Sequence, residues 1–160
     1  MLSITVICVG KLKESYLREG CAEYVKRLQA FCKISVIEVD EERLSDNPSA
    51  AQIDACIESE GKRIAAKLPA GAYLIPMCIE GNQLCSVELS RTIDKIGISG
   101  KSSIVFLIGG SHGLWEELKA KSQLRLSMSK MTFPHQLARM MLLEQIYRAF
   151  QISANGKYHK

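Results

Sequence analysis

The sequence predicts an α/β fold in which a mostly parallel sheet is flanked by helices. Apolar runs of strand length alternate with segments of helical period along the whole chain, which is typical of βα units. Residues 103–108 are almost wholly apolar, as in a strand that helices cover on both faces. No repeat or linker interrupts this alternation, so we expect a single domain over residues 1–160.

Turn residues divide the first half of the chain into five segments. We place these as a strand at 2–9, a helix at 13–31, a strand at 33–39, a polar loop at 40–50 and a helix at 49–67. The first strand is rich in β-branched residues and stops at Gly10, and the second helix stops at the turn residues 69–71. The loop is acidic and contains Pro48, so we expect it to be the most mobile segment.

The second half continues the same alternation. We place a strand at 72–79, a helix from Ser86 to the glycines 97 and 100, a strand at 103–108, a short helix to about Lys121, a strand near 123–128, an irregular segment at 129–134 and a long apolar helix at 135–152. Glu88 falls in the first turn of its helix, where a carboxylate is favourable. Connections of this length predict neighbouring parallel strands.

Composition excludes several classes of protein. The chain is 47% hydrophobic and 24% charged, which suits a domain that buries its own core and excludes intrinsic disorder. Its net charge of +4 is unevenly spread: residues 1–100 carry 12 basic and 14 acidic residues, a balance of −2, whereas residues 101–160 carry 9 and 3, a balance of +6. This excess indicates either ordinary solubility or a surface for phosphates.

Cysteine and histidine usage favours a reducing compartment and argues against a metal site. None of the six cysteines forms a Cys-x-x-Cys pair, and the three histidines form no His-x-x-x-His pair. No apolar run approaches the roughly 20 residues of a membrane span. The apolar N-terminus lacks a basic leader region and is interpreted as a buried strand. We therefore expect a cytoplasmic protein with no metal and no membrane contact.

Three loops of the second half lie where a parallel sheet binds ligands. They are residues 77–81, 109–113 and 128–134, each of which follows a predicted strand. The glycines of the second loop leave backbone N–H groups accessible, although a strand-to-helix turn can need glycine for steric reasons alone. The loop does not match the Gly-x-Gly-x-x-Gly of dinucleotide folds, and no acidic residue follows it at the ribose-binding distance.

A set of ordered motifs resembles a known family over essentially the whole chain. The motifs are Ile108-Gly109-Gly110-Ser111-x-Gly113, Ser129-Lys130-Met131-Thr132-Phe133-Pro134-His135, Glu144-Gln145-x-Tyr147-Arg148-Ala149 and the terminal Tyr158-His159. The resemblance is to the small bacterial SPOUT methyltransferases, and within them to the enzymes that methylate N3 of a pseudouridine in large-subunit ribosomal RNA. Together the motifs are far more specific than a glycine loop alone.

The resemblance implies an α/β fold with a C-terminal trefoil knot, a homodimer and S-adenosylmethionine as the methyl donor. The three loops would form the cofactor site. Carried over by position, the cofactor-binding residues would be Met77, Gly109, Met128, Ser129, Lys130, Met131, Thr132 and Phe133. Met77 stands where the family often has leucine, which is a volume-conserving change.

The resemblance further implies a substrate and an acceptor site. The substrate would be the helix 69 pseudouridine of 23S rRNA in the assembled 70S ribosome. Its N3 must lose a proton, and we expect His159 and Tyr158 near the acceptor, with Arg148 steadying charge or binding phosphate. The candidates for phosphate contacts are Lys119, Lys121, Arg125, Lys130, Arg139, Arg148, Lys157 and Lys160. Two alternatives remain open: a SPOUT enzyme for another RNA such as tRNA, and a catalytically silent ribosome-binding module.

Overall fold

Five strands and five helices alternate along the chain. A computed structural model describes residues 1–160. The strands are β1 (Ser3–Val9), β2 (Lys33–Val39), β3 (Tyr73–Gln83), β4 (Ser103–Ile108) and β5 (Leu126–Ser127). The helices are α1 (Ser15–Leu28), α2 (Ala50–Ala65), α3 (Ser86–Ile98), α4 (Glu116–Ala120) and α5 (His135–Ser153). The predicted order of elements is confirmed.

All strand pairings in the sheet are parallel, with the order β2-β1-β4-β3-β5. Ile4 of β1 lies level with Ile34 of β2 and Ile104 of β4. The central strands β1 and β4 are therefore buried on both faces, which explains their continuous apolar sequence. The predicted fold class, a parallel sheet flanked by helices, is confirmed.

The sheet separates two apolar cores. Alternate residues of β4 face opposite sides: Phe106 belongs to the core that α1, α3 and α5 cover, and Leu107 belongs to the core that α2 and α4 cover. Helix α5 packs between α1 and α3. The knot that the resemblance implies stays a prediction.

The third and fifth strands differ from their predicted bounds. β3 runs to Gln83 instead of ending near residue 79, and β5 has two residues instead of the predicted 123–128. The two strands pair again beyond a register shift that follows Met77. At Gly81, an added Cβ would lie 2.7 Å from the Leu126 carbonyl carbon, so the close approach of the strands requires glycine. This pairing is a tertiary effect that the local sequence does not encode.

The acidic loop before α2 has no regular structure, as predicted, but the helix holds it. Ser49 and Gln52 form a reciprocal capping box at the helix N-terminus, with the Ser49 side chain accepting from the Gln52 N–H at 3.2 Å. Arg63 forms an ion pair with Glu42 and donates to the Asp40 carbonyl at 2.9 Å. The mobility of the loop stays a prediction.

Arg139 is a core residue, so its prediction as a phosphate contact is wrong. The residue is only 2% exposed. Its guanidinium donates to the Glu38 carboxylate at 2.7 Å and to the Gly10 carbonyl at 3.0 Å. Arg139 thus links the first turns of α5 to the carboxyl ends of β1 and β2. Its position in a basic segment of the sequence does not reveal this role.

We expect Glu38→Ala to destabilise the fold because it leaves the Arg139 guanidinium buried without a counter-ion. Breaking a buried pair costs several kcal/mol, and the partial exposure of Glu38 reduces this to about 2 kcal/mol. Urea denaturation would measure the free energy of unfolding. The control is Glu23→Ala, which breaks the exposed Glu23–Arg27 pair and should cost less than about 1 kcal/mol. Equal losses in the two variants would contradict this role of Arg139.

Candidate active site

The three predicted loops meet at the carboxyl edge of the sheet and surround one cavity. Its volume is about 830 Å³, within the range of small-molecule sites. The predicted residues that line it are Met77, Gly109, Met128, Ser129, Met131, Thr132 and Phe133. Lys130 is exposed and does not line the cavity. The structure therefore brings together seven of the eight residues predicted for the cofactor.

The glycine loop is tightly folded against its own backbone. A Cβ on Gly109 would lie 2.6 Å from the carbonyl carbon of Gly113, and Gly113 itself has φ +96°, a conformation that favours glycine. The Gly113 N–H donates to the Gly110 carbonyl at 3.1 Å and closes the turn. The tight turn therefore requires glycine at these positions, and the same glycines line the cavity.

The loop after β5 is held by short side-chain contacts. The Ser127 hydroxyl donates to the Ser129 carbonyl at 2.9 Å, and the Ser129 hydroxyl accepts from the Met131 N–H at 3.0 Å. This turn leaves Met131 72% exposed at the cavity rim. An apolar side chain so exposed is available to pack against a ligand or a partner.

A second cavity of about 550 Å³ adjoins the first. The two share Met77, Ser127 and Met128 as a common wall. The second cavity is largely apolar, and Glu144 and Gln145 of α5 are among its polar lining residues. Glu144 connects it to the C-terminal tail.

The last residues of the chain pack onto α5 around Glu144. One oxygen of that carboxylate accepts from Arg148 at 2.5 and 2.9 Å and from the Tyr158 hydroxyl at 3.1 Å. The third nitrogen of the Arg148 guanidinium, Nη1, lies 3.2 Å from Nδ1 of His159. The Tyr158 ring packs edge-on against Tyr147, with a centroid separation of 4.9 Å. The three residues predicted near the acceptor thus form one hydrogen-bonded cluster together with Glu144. We call it the tail cluster: Glu144, Arg148, Tyr158 and His159.

Proton positions in the tail cluster follow from the donor groups. A guanidinium only donates, so Nδ1 of His159 accepts from Arg148, and Nε2 is the ring nitrogen left to donate. Burial, followed by the hydrogen bonds to Tyr24 and Glu144, raises the pKa of Tyr158 to about 12. Tyr158 therefore stays protonated at neutral pH and acts as a donor, not a base.

Comparison with known proteins places the chain. The family model described as predicted SPOUT methyltransferase matches residues 2–159. The chain belongs to the SPOUT methyltransferase family. It is therefore an enzyme of the methyltransferase class, and the family implies a methyl donor of the S-adenosylmethionine type. The resemblance predicted from the sequence motifs is confirmed.

Two named methyltransferases are similar to this chain over almost their whole length. The chain is 47% identical over 159 residues to the ribosomal RNA large subunit methyltransferase H of Pelotomaculum thermopropionicum, covering 99% of each chain. It is 43% identical to the protein of the same name from Clostridioides difficile, covering 99% of this chain and 100% of that one. A solved probable methylase family protein of Haemophilus influenzae has a TM-score of 0.54 at 14% identity, over 99% of this chain and 70% of that one, and shares the fold.

The cavity of this SPOUT methyltransferase fits the donor that the family implies. Met77, Met128 and Phe133 supply apolar surface for an adenine or a thioether. Gly109 lines the cavity with backbone alone, which lets a ligand approach closely. The only carboxylate among the lining residues, Glu80, pairs with Lys119 at 2.7 Å, and the hydrogen bond from Lys119 lowers the pKa of Glu80.

Apart from the buried Arg139, the basic residues predicted to bind phosphate divide into two groups. Three of them already have carboxylate partners: Lys119 with Glu80, Arg125 with Glu116 and Arg148 with Glu144. Four are exposed and outside any ion pair: Lys121, Lys130, Lys157 and Lys160. Only this second group presents free positive charge.

Sequence reasoning missed two acidic residues. Glu144 belongs to a family motif, but the motif does not show that this residue binds both Arg148 and Tyr158. Glu60 lies in a helix of mixed polarity and no local signal marks it, yet it is only 5% exposed.

All six cysteines are free thiols, and no group of three or more metal-ligating side chains occurs. None of the helices has the length and apolar character of a membrane span.

Proposed function

We propose that this chain methylates N3 of the helix 69 pseudouridine of 23S rRNA in the assembled 70S ribosome, with S-adenosylmethionine as donor. The observation that carries the proposal is full-length similarity, at 43–47% identity, to proteins named ribosomal RNA large subunit methyltransferase H. The geometry supports it, because a cavity suited to the donor adjoins a second one that reaches the tail cluster.

The cavity of about 830 Å³ that is lined by residues 109–113, which we call the glycine-loop cavity, would bind the donor. When bound, S-adenosylmethionine supplies an electrophilic methyl group on a sulfonium. Gly109 and the segment 128–133 would hold its polar groups through the backbone, while Met77 and Phe133 supply apolar walls. Because methyl transfer requires an in-line approach of donor and acceptor, positioning is the main contribution of these residues. Lys130 would contribute from outside the cavity.

The tail cluster would act on the acceptor base. N3 of a pseudouridine carries a proton that is released to water before the transfer, so negative charge develops on the base and persists until N3 takes the methyl group. Nε2–H of His159 has no partner within the chain, and the Arg148 guanidinium lies next to it. These donors would stabilise that charge, whereas Glu144 and Tyr158 fix the orientation of Arg148.

We further propose that one domain, residues 1–160, works as a cytoplasmic homodimer. Helix α5 is apolar around much of its circumference, and Leu137, Met141 and Ile152 stay half-buried in the single chain. A second copy covering this face would complete their burial. Lys121, Lys130, Lys157 and Lys160 would contact RNA phosphates.

Two measurements test the proposed function. Calorimetric titration with S-adenosylmethionine should show binding, and absence of binding at millimolar donor would favour the silent module. Transfer of labelled methyl should be strong on 70S ribosomes and weak on 50S subunits and bulk tRNA. Preferential labelling of tRNA would favour the alternative RNA substrate.

A further inference from the structure

A carboxylate lies directly behind the glycine loop. Glu60, in α2, is only 5% exposed. A Cβ built on Gly110 would lie 3.1 and 3.4 Å from its two carboxylate oxygens. Gly110 also lines the cavity, so a single glycine separates the Glu60 charge from the space where a ligand would sit.

The polar contacts of Glu60 favour the charged carboxylate, whereas its burial opposes the charge. Its Oε2 accepts from the Glu42 N–H at 3.0 Å. That hydrogen bond and the Cys56 thiol favour the ionised form, although burial as the larger effect raises the pKa of Glu60. The nearest guanidinium, that of Arg63, is directed to Glu42 and to the Asp40 carbonyl.

Few other charges compete at this wall of the cavity. Glu80 is neutralised by Lys119, and Glu42 by Arg63. Glu41 is exposed, so water and salt screen it. Glu60 is therefore the buried carboxylate without an ion-pair partner beside the glycine loop, and its field extends through the loop into the cavity.

We infer that Glu60 is a specificity-determining residue that makes the glycine-loop cavity prefer a sulfonium ligand over its neutral thioether product. The inference rests on the proposed function. S-adenosylmethionine carries one more positive charge than S-adenosylhomocysteine, and the two otherwise differ by a methyl group. A fixed negative charge behind Gly110 attracts the first and is indifferent to the second, so it favours donor binding and product release.

The test compares the dissociation constants of both compounds by calorimetry. In Glu60→Gln, which keeps the size of the side chain and an acceptor for the Glu42 N–H, we expect the affinity for S-adenosylmethionine to fall roughly fivefold to tenfold. The affinity for S-adenosylhomocysteine should change by less than about twofold. Equal losses for the two compounds would mean a purely structural role and would overturn the inference, as would no loss for either.

Two further variants separate charge from shape. Glu60→Asp keeps the charge and should retain the preference for the sulfonium, so loss of the preference would overturn the inference. Glu58→Gln removes an exposed carboxylate from the same helix and should change neither constant. Thermal unfolding of each variant verifies that it is folded. If the wild type binds neither compound, the proposed function fails as well, whereas a change in the ratio alone concerns only Glu60.

Discussion

A chain that ends at Lys157 is expected to bind S-adenosylmethionine as the wild type does and to transfer almost no methyl group. The deletion removes Tyr158 and His159 from the tail cluster, and with them the donor that lies beside Arg148. Loss of a donor that stabilises developing negative charge costs about 100-fold or more in rate, so we expect turnover to fall at least that far. The affinity for the donor should stay within about twofold of the wild-type value because no residue after Ala138 lines the glycine-loop cavity.

Point variants sharpen this expectation. His159→Ala should reproduce most of the loss. Tyr158→Phe should lose less because it keeps the ring against Tyr147 and removes only the hydroxyl bonds to Tyr24 and Glu144. Deletion of Lys160 alone is the matched control: it removes one of four proposed phosphate contacts but leaves the tail cluster intact, so it should retain most of the turnover. Single-turnover methylation of ribosomes and calorimetry with the donor provide the two readouts. Normal methylation by the shortened chain would refute the roles proposed for His159 and Tyr158.

Replacing Gly109 by alanine should strongly weaken donor binding. The new Cβ would lie 2.6 and 2.7 Å from the carbonyl carbon and oxygen of Gly113 and 2.9 Å from the Leu114 nitrogen. These are backbone atoms that cannot turn aside as a side chain can, so the loop must open. We expect a loss of affinity of at least about tenfold, since the same backbone would have to form the ligand contacts.

Two other glycines calibrate the Gly109 result. Gly97→Ala, in α3, meets nothing within 4 Å and should leave affinity and stability intact. Gly110→Val should weaken binding less than Gly109→Ala, because its Cβ would press on the side chains of Glu60 and Val9 at 3.1 and 3.2 Å. Unchanged affinity in Gly109→Ala would refute a cofactor role for this loop.

The local sequence was sufficient to predict the strands that helices cover on both faces. β1 and β4 are continuous apolar runs because helices cover both faces, and such a run is visible in one dimension. β3 and β5 depend on pairing across a register shift, so their bounds could not be read locally. The three loops around the glycine-loop cavity were found because a parallel sheet brings the ends of its strands to one edge. The seven residues within them came from the family resemblance.

The sequence by itself determined the alternation of strands and helices, the loops that form the cavity and, through its motifs, the family. Only the tertiary structure decided what individual charges do. Arg139 is buried against Glu38, Glu60 is buried behind Gly110, and Glu144 is the centre of the tail cluster. The physical reason is that apolar periodicity reports which face of an element is buried. The environment of a charged group depends instead on partners far away in sequence, as for Arg139 and Glu38, and these meet only in the folded chain.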